Sequence, residues 1–165
     1  FLEAADSGYD DAMENVMLCI DEEQKGAHNL TKVFGWFLKS AENGNAVAMN
    51  EVGNHFADGE VVTQDYSKSF EWFLKSANKG YAEAMLNVAV CYDKGQGVTQ
   101  DKTKAFEWYL KAAEKESAAA MFKVGECFFN GKGVLQDKDA AYEWYLKAAE
   151  NGNEKAKSII RDWKK

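Results

Sequence analysis

A 36-residue period runs through the chain without insertion or deletion, and it limits the possible folds more than any other feature. The segment FEWFLKS at 70–76 returns 36 residues later as FEWYLKA at 106–112. Periods of about 20 to 50 residues are typical of solenoids, in which each unit buries its apolar face against its neighbours. We predict four whole repeats, at residues 5–40, 41–76, 77–112 and 113–148. Residues 1–4 are predicted to be the tail of a preceding repeat, and residues 149–165 a C-terminal capping helix.

Each repeat shows the pattern of two helices. Ala48, Met49, Val52 and Phe56 recur at three- and four-residue steps, which marks one face of a first helix that Gly59 ends. The second helices are predicted to begin at aspartate N-caps, Asp65, Asp101 and Asp137. A tryptophan column on these helices is predicted to pack in the core, at Trp36, Trp72, Trp108 and Trp144. Short links force neighbouring helices to be antiparallel. The predicted fold is all-α, a right-handed α-solenoid (superhelix) of antiparallel helix pairs.

Composition excludes several classes of protein. The chain is 46% hydrophobic and 13% aromatic, too apolar for wholesale disorder, and its net charge of −7 argues against nucleic-acid binding. No apolar run approaches the roughly 20 residues of a membrane span, so direct membrane insertion is not expected. Three cysteines without a leader favour a reducing, cytoplasmic location. Phe1 shares the column of Phe37, so we expect the chain to continue upstream, where a leader would make it periplasmic or secreted.

Nothing in the sequence forms a convincing catalytic, cofactor or metal site. The glycine pairs at 95–97 and 131–133 lack the third glycine and the preceding strand of a dinucleotide fingerprint. Cys19, Cys91 and Cys127 share one column, and equivalent positions in stacked repeats lie about 8–10 Å apart or more, too far for one metal or a disulfide. We expect free, buried thiols, no cofactor, no metal and no enzyme activity.

The repeat resembles the Sel-one-like repeat family, relatives of the tetratricopeptide repeats. Ala84, Tyr92, the loop Gly95-Gln-Gly97-Val98, Trp108 and the run Lys111-Ala112-Ala113 match the family pattern. The resemblance covers essentially the whole chain. It implies a superhelical adaptor that binds peptides or protein surfaces and assembles complexes.

Several positions depart from this pattern. Val61 replaces the second loop glycine of its repeat, and Glu116 replaces a turn glycine, so we expect strain or a different cap at Glu116. Glu23 and Lys25 replace both loop glycines of the first whole repeat, where a different loop is expected. The polar segment 154–163 is predicted to be the capping helix that ends the array.

The resemblance also implies a binding groove. Ligand contacts of tetratricopeptide repeats come from first-helix positions beside the core columns. Carried over by register, the predicted contacts are Asp11, Glu14, Leu18, Asp21, Asn50, Asn54, Asp58, Glu83, Leu86, Val90, Asp93, Phe122, Glu126 and Phe129. Residues 1–76 carry a net charge of −9 and residues 77–165 a net charge of +2. We therefore expect a protein or peptide partner with apolar anchors at one end and Lys or Arg at the other.

Two alternatives remain open. Leu86, Val90, Phe122 and Phe129 are apolar residues outside the packing columns, and contact with Ile159 and Trp163 of the terminal helix would also explain them. At the level of function, the chain is predicted to be a protein-interaction scaffold without catalysis. The alternative is a structural spacer or oligomerisation module attached to a catalytic or signalling domain elsewhere. The partner and the oligomeric state do not follow from the sequence.

Overall fold

A computed structural model describes residues 27–163, and all of the regular structure in this range is α-helical. These residues form eight helices in succession. In chain order they are α1 (Ala27–Glu42), α2 (Ala46–Asp58), α3 (Tyr66–Asn78), α4 (Ala82–Lys94), α5 (Lys102–Ala113), α6 (Ala118–Asn130), α7 (Lys138–Glu150) and α8 (Glu154–Trp163). The last helix has the bounds predicted for the polar segment 154–163, within the wider range 149–165 predicted for the cap. The repeat at 5–40 lies partly outside the described residues, and its altered loop at Glu23 and Lys25 lies wholly outside them.

The predicted helix ends are confirmed. Asp65, Asp101 and Asp137 are N-caps, and their carboxylates accept backbone N–H groups of Lys68, Lys104 and Ala140 at 3.0, 3.0 and 2.9 Å. Such caps satisfy amide groups that the first helical turn leaves unpaired. Gly59 ends α2 with φ of 75°, the left-handed conformation that glycine adopts at least cost.

The described residues form two compact units that divide between Tyr81 and Ala82. In the first unit, α2 packs against both α1 and α3. In the second unit, each helix from α4 to α8 packs against the next one along the chain. Within each unit, this order of contacts is the one that stacked antiparallel helix pairs produce.

The core of each unit is built from the repeated columns. Val52, Val88 and Val124 are fully buried, as are the alanines four residues before them. The two helices of a repeat approach closely, because a Cβ atom at Gly53 or Gly125 would lie 2.6 or 2.8 Å from the ring of Phe73 or Tyr145. The first-helix core face is therefore the predicted one.

The tryptophan column is less buried than we predicted. On the second helices, the buried aromatic side chains are the next ones in sequence, Phe37, Phe73, Tyr109 and Tyr145, whereas the four tryptophans are only half-buried. The lysine three residues after each later tryptophan places its Nζ over the indole, at 4.1 Å for Lys75 and Lys111 and 4.5 Å for Lys147. Residues three positions apart lie on the same face of a helix, so each of these lysines can reach the tryptophan before it. Each indole thus packs on the core with one part and holds an ammonium group with another.

Two departures from the repeat pattern affect the backbone. Glu116 has φ of 61° and is the only non-glycine residue with positive φ in the range 27–163, which confirms the expected strain at this turn. The corresponding Gly44, Gly80 and Gly152 have φ between 91° and 98°. The second departure is Val61, which replaces a loop glycine. It has no positive φ, whereas Gly133 at the same position of a later loop has φ of 73°.

Candidate protein-interaction face

The predicted contact residues lie on three described first helices, α2, α4 and α6. The contacts predicted on the preceding first helix, Asp11, Glu14, Leu18 and Asp21, lie outside the described residues. Each remaining helix is best considered separately, because its packing decides which side chains a partner can reach.

On α2, only part of the predicted set is accessible. Asn50 is completely buried and its Nδ2 donates to Glu51 Oε1 at 3.2 Å. Asn54 is half-buried and donates to Glu51 Oε2 at 3.3 Å, so one glutamate holds both amides. Asp58, in the last turn, is exposed. Asn50 is thus a core residue in this structure and not an exposed contact, because its side chain lies inward in a packed helix pair.

On α4, an apolar pair lies between acidic groups. Leu86 and Val90 are one turn apart and both half-buried. Glu83 is exposed near the start of the helix. Asp93, near its end, accepts from Lys102 Nζ with its Oδ1 at 2.8 Å, and the same ammonium donates to its backbone carbonyl. This ion pair joins the end of α4 to the start of α5 in one repeat.

On α6, the predicted residues have different environments. Phe122 is buried, with its ring tilted against Tyr145 at a centroid distance of 5.5 Å. Glu126 pairs with Lys123 at 2.7 Å on the same helix. Phe129 is 37% exposed and meets Trp163 edge to face at 5.6 Å. Phe122 is therefore a core residue and not an accessible anchor, and Phe129 is explained in part by the contact with the terminal helix.

Electrostatics link residues of α4 and α6 within the second unit. Burial raises the pKa of Tyr109, and the carboxylates of Asp93 and Glu126 raise it further. Burial also raises the pKa of Cys127 to about 11, again with Asp93 and Glu126 acting in the same direction. Two carboxylates from successive first helices therefore raise the pKa of the same buried hydroxyl and thiol.

Burial shifts the pKa of the described cysteines and of His55. Burial raises the pKa of the Cys91 thiol to about 11, as it does for Cys127, so both stay protonated at neutral pH. Burial lowers the pKa of His55, whose ring meets that of Phe34 edge to face at 5.5 Å. Both described cysteines are free and buried, as predicted, and Cys19 lies outside the described residues.

Within residues 27–163, no three His, Cys, Asp or Glu side chains lie together in a way that would hold a metal ion. In the same range, every helix is too short or too polar to cross a membrane.

Trp163 was expected to contact the apolar residues of the first helices, but its place in a surface feature was not predicted. Its ring contacts Phe129, Tyr142 and Tyr145, and two open pockets adjoin it. The available signal was its register, since Trp163 stands 36 residues after Cys127 and puts the largest side chain where the repeats have a small one.

Comparison with known proteins identifies the repeat. The family model described as Sel1 repeat matches residues 28–45, 46–81, 82–117 and 118–153. A crystal structure of c5321, a protective antigen of uropathogenic Escherichia coli displaying an SLR fold, is 34% identical with a TM-score of 0.82. The alignment covers 93% of this chain and 33% of the antigen, so this chain spans about a third of that relative's length.

Two further solved structures are similar. A Sel1 repeat protein from Oxalobacter formigenes is 27% identical with a TM-score of 0.83, over 93% of this chain and 63% of that one. Cysteine-rich protein B of Helicobacter pylori is 23% identical with a TM-score of 0.61, over 77% of this chain and 96% of that one, and shows the fold alone. No curated protein matches the sequence.

The helical pairs, the period of 36 residues and these matches agree on the predicted α-solenoid of antiparallel helix pairs. The family model covers most of the chain, in register with the helices of the structure. The chain therefore belongs to the Sel1 repeat family.

Proposed function

We propose that this chain is a non-catalytic scaffold that binds a peptide or protein surface through its first-helix face, chiefly through α4 and its neighbour α6. Sel1-repeat proteins are generally protein-interaction scaffolds, which supports the class of function. The finer assignment rests on the residues of the second unit.

The observation that carries the proposal is the apolar pair Leu86 and Val90. The packing columns of α4 are complete without them, since Ala84, Val88 and Ala89 are fully buried. The chain has Asn50 and Asn54 at the same two positions one repeat earlier, so the fold does not require apolar residues there. An apolar pair that is half-buried and not required by the repeat is typical of a surface that a partner covers.

Charged groups around this pair favour a partner with basic residues. Glu83 is exposed one turn from Leu86, and the carboxylates of Asp93 and Glu126 both raise the pKa of Tyr109 and Cys127. Lys102 and Lys123 already pair with these two carboxylates, so an incoming cation would compete with them. The net affinity from charge is therefore modest and falls with added salt.

The experiment replaces the apolar pair by the residues that the chain itself has one repeat earlier, Leu86→Asn with Val90→Asn. A displayed peptide library is selected on the unmodified chain, and the affinity of a selected peptide is measured by calorimetry. We expect a dissociation constant of about 1 μM, weakened at least about tenfold by the double substitution, with unchanged helicity by circular dichroism.

The control is Leu135→Asn, which removes an apolar side chain that is 89% exposed in the loop between α6 and α7. It should leave the affinity unchanged. Equal binding by the double variant, or loss of binding on the control, would overturn the assignment to α4. Failure to select any peptide or capture any protein would favour the spacer or oligomerisation alternative. Turnover of ester, amide or lactam substrates that disappears on changing Cys91 or Cys127 would refute the absence of catalysis.

A further inference from the structure

Trp163, near the end of α8, forms an aromatic cluster with Phe129, Tyr142 and Tyr145. At the equivalent position of an earlier repeat, His55 contacts Phe34 and Phe37, so Trp163 enlarges a ring contact that the repeat already allows. Its ring centroid lies 5.6 Å from that of Phe129, 5.8 Å from Tyr142 and 6.0 Å from Tyr145. In the two preceding repeats the same position has a buried cysteine, Cys91 or Cys127, which is much smaller. The indole is half-buried, so part of it remains available at the surface.

Two open pockets share Trp163 as a common wall. The first has a volume of about 380 Å³ and is lined by Phe129, Tyr145, Ser158, Ile159, Asp162 and Trp163. The second has a volume of about 330 Å³ and is lined by Asp139, Tyr142, Glu143 and Trp163. One pocket is therefore mainly aromatic and aliphatic, and the other combines two aromatic rings with two carboxylates.

The second pocket has the chemistry that recognises a cationic side chain. The rings of Tyr142 and Trp163 are inclined at 56°, so they form a corner in the pocket wall. Aromatic faces attract ammonium and guanidinium groups, and nearby carboxylates add direct ion pairing. Asp139 and Glu143 are both exposed, so a cationic side chain can reach their carboxyl groups.

The repeat provides an internal comparison for this pocket. Glu71, Glu107 and Glu143 occupy one position in three repeats, so glutamate alone is ordinary there. Glu143 lines a pocket with Trp163, Tyr142 and a second carboxylate, from Asp139. The positions equivalent to Asp139 are Ser67 and Thr103, which carry no charge. Asp139 thus adds a second carboxylate where Ser67 and Thr103 have none.

We propose that the two pockets beside Trp163 bind a partner segment that presents an aliphatic and a basic side chain, the aliphatic one beside Phe129 and the Lys or Arg between Asp139 and Glu143. In an extended segment, side chains two residues apart lie on one face and are separated by about 6.6 Å, which suits two sites on either side of one indole. This site is separate from the α4 pair. It relies on the proposed function only in taking a protein as the partner.

The test uses two synthetic tripeptide amides, acetyl-Leu-Ala-Lys and acetyl-Lys-Ala-Leu, and the full chain labelled with ¹⁵N. Binding is followed by the NMR signal of the Trp163 indole N–H, assigned by comparison with Trp163→Phe. We expect at least one of the peptides to shift this signal saturably, with a dissociation constant of about 1 mM. A matching peptide with norleucine in place of lysine should bind about tenfold more weakly, because it lacks the ammonium group.

The charge variants make the test specific to this pocket. Glu143→Gln should weaken the lysine peptide about threefold, and Asp139→Asn with Glu143→Gln about tenfold. Glu107→Gln, at the equivalent position one repeat earlier, should have no effect. The single Glu143→Gln variant leaves the first turn of α7 unchanged, so it tests the pocket even where Asp139→Asn weakens that helix.

An unshifted Trp163 signal, equal binding of the norleucine peptide, or an equal effect of Glu107→Gln would each overturn the proposal. The double variant Leu86→Asn with Val90→Asn should leave tripeptide binding unchanged. If the α4 assignment is refuted but the tripeptides still bind beside Trp163, only the proposed function is refuted. If the α4 assignment holds but the tripeptides do not bind, only this inference is refuted.

Discussion

The repeats at 46–81 and 118–153 have the same buried valine and the same glycine beneath an aromatic ring, but their inter-helix loops differ. In the later repeat, Gly133 has φ of 73°, and a Cβ atom there would overlap the carbonyl oxygen of Lys102. In the earlier repeat, the equivalent Val61 has no positive φ. In both repeats, the packing of the two helices against each other is thus determined by the core columns. At Gly133 the loop lies against Lys102 of the preceding second helix, an approach that leaves no room for a Cβ atom.

The largest expected effect comes from Gly133→Ala, which tests whether this close approach stabilises the later repeat. The added methyl group imposes an unfavourable φ and displaces the loop from Lys102, so we expect a loss of about 3 kcal/mol in the free energy of unfolding. Urea denaturation followed by circular dichroism measures it. The control is Gly152→Ala, because Gly152 has φ of 91° and nothing within 4 Å of its added Cβ.

Gly152→Ala should lower the free energy of unfolding by about 1 kcal/mol, the cost of the unfavourable φ alone. Equal losses from the two substitutions would mean that the approach to Lys102 contributes nothing, and the difference between the two loops would then have no energetic meaning.

A smaller and opposite effect is expected at the turn between α5 and α6. Glu116 adopts φ of 61°, where the other repeats have glycine, so Glu116→Gly should raise the free energy of unfolding by about 1 kcal/mol. Glu114→Gly is the matched control, because Glu114 has an ordinary helical φ of −63°. That change should lower stability by about 1 kcal/mol. A stabilising effect of both would show that removing negative charge, and not relieving strain, is responsible.

Most of the fold was predictable from the sequence because packing and capping repeat every 36 residues. The aspartate caps, the buried first-helix columns and the bounds 154–163 of the last helix all follow from patterns that a single repeat already shows. The strain at Glu116 was also predictable, because a turn that glycine forms three times sets the backbone for the fourth.

The candidate site was less predictable, because accessibility depends on neighbouring side chains and not on register. Asn50 and Phe122 share a column with the half-buried Leu86, yet both are buried. The tryptophans were wrongly predicted to be core residues, since a periodic indole can pack on a core and still hold a lysine over its exposed part. The pockets beside Trp163 arise where the periodic pattern breaks, so the period itself contains no information about them.

A third comparison between the two repeats concerns one buried hydroxyl. Ser69 is 1% exposed and its Oγ has no hydrogen-bond partner, whereas the later repeats have Ala105 and Ala141 at this position. Ser69→Ala should therefore stabilise the chain by about 1 kcal/mol, since it removes an unpaired polar group from the core. Thermal and urea denaturation measure the change. The exposed Ser67→Ala should stay within about 0.5 kcal/mol of the unmodified chain. Destabilisation by Ser69→Ala would show that the hydroxyl is paired in solution.

The smallest expected effect depends on pH and concerns His55, which stands where the later repeats have Cys91 and Cys127. Burial lowers the pKa of His55 below 6.5, while Glu51, Asp58 and Glu60 partly oppose the shift. The unfolded chain therefore binds a proton at this residue at a higher pH than the folded chain does. The free energy of unfolding should fall as the pH drops below 6.5, and the loss should end once the folded form is protonated too.

His55→Cys places the residue of the later repeats in the earlier one and should remove this part of the pH dependence. Urea denaturation at a series of pH values from about 7.5 to about 5.5, around the ordinary histidine pKa, measures the slope for both chains. His28→Gln, at the chain's other histidine, separates the two contributions. Because three carboxylates counteract burial at a half-buried ring, the change in slope should be modest. An unchanged slope would mean that His55 titrates alike in the folded and unfolded chains, and that the ring contacts with Phe34 and Phe37 do not keep it neutral.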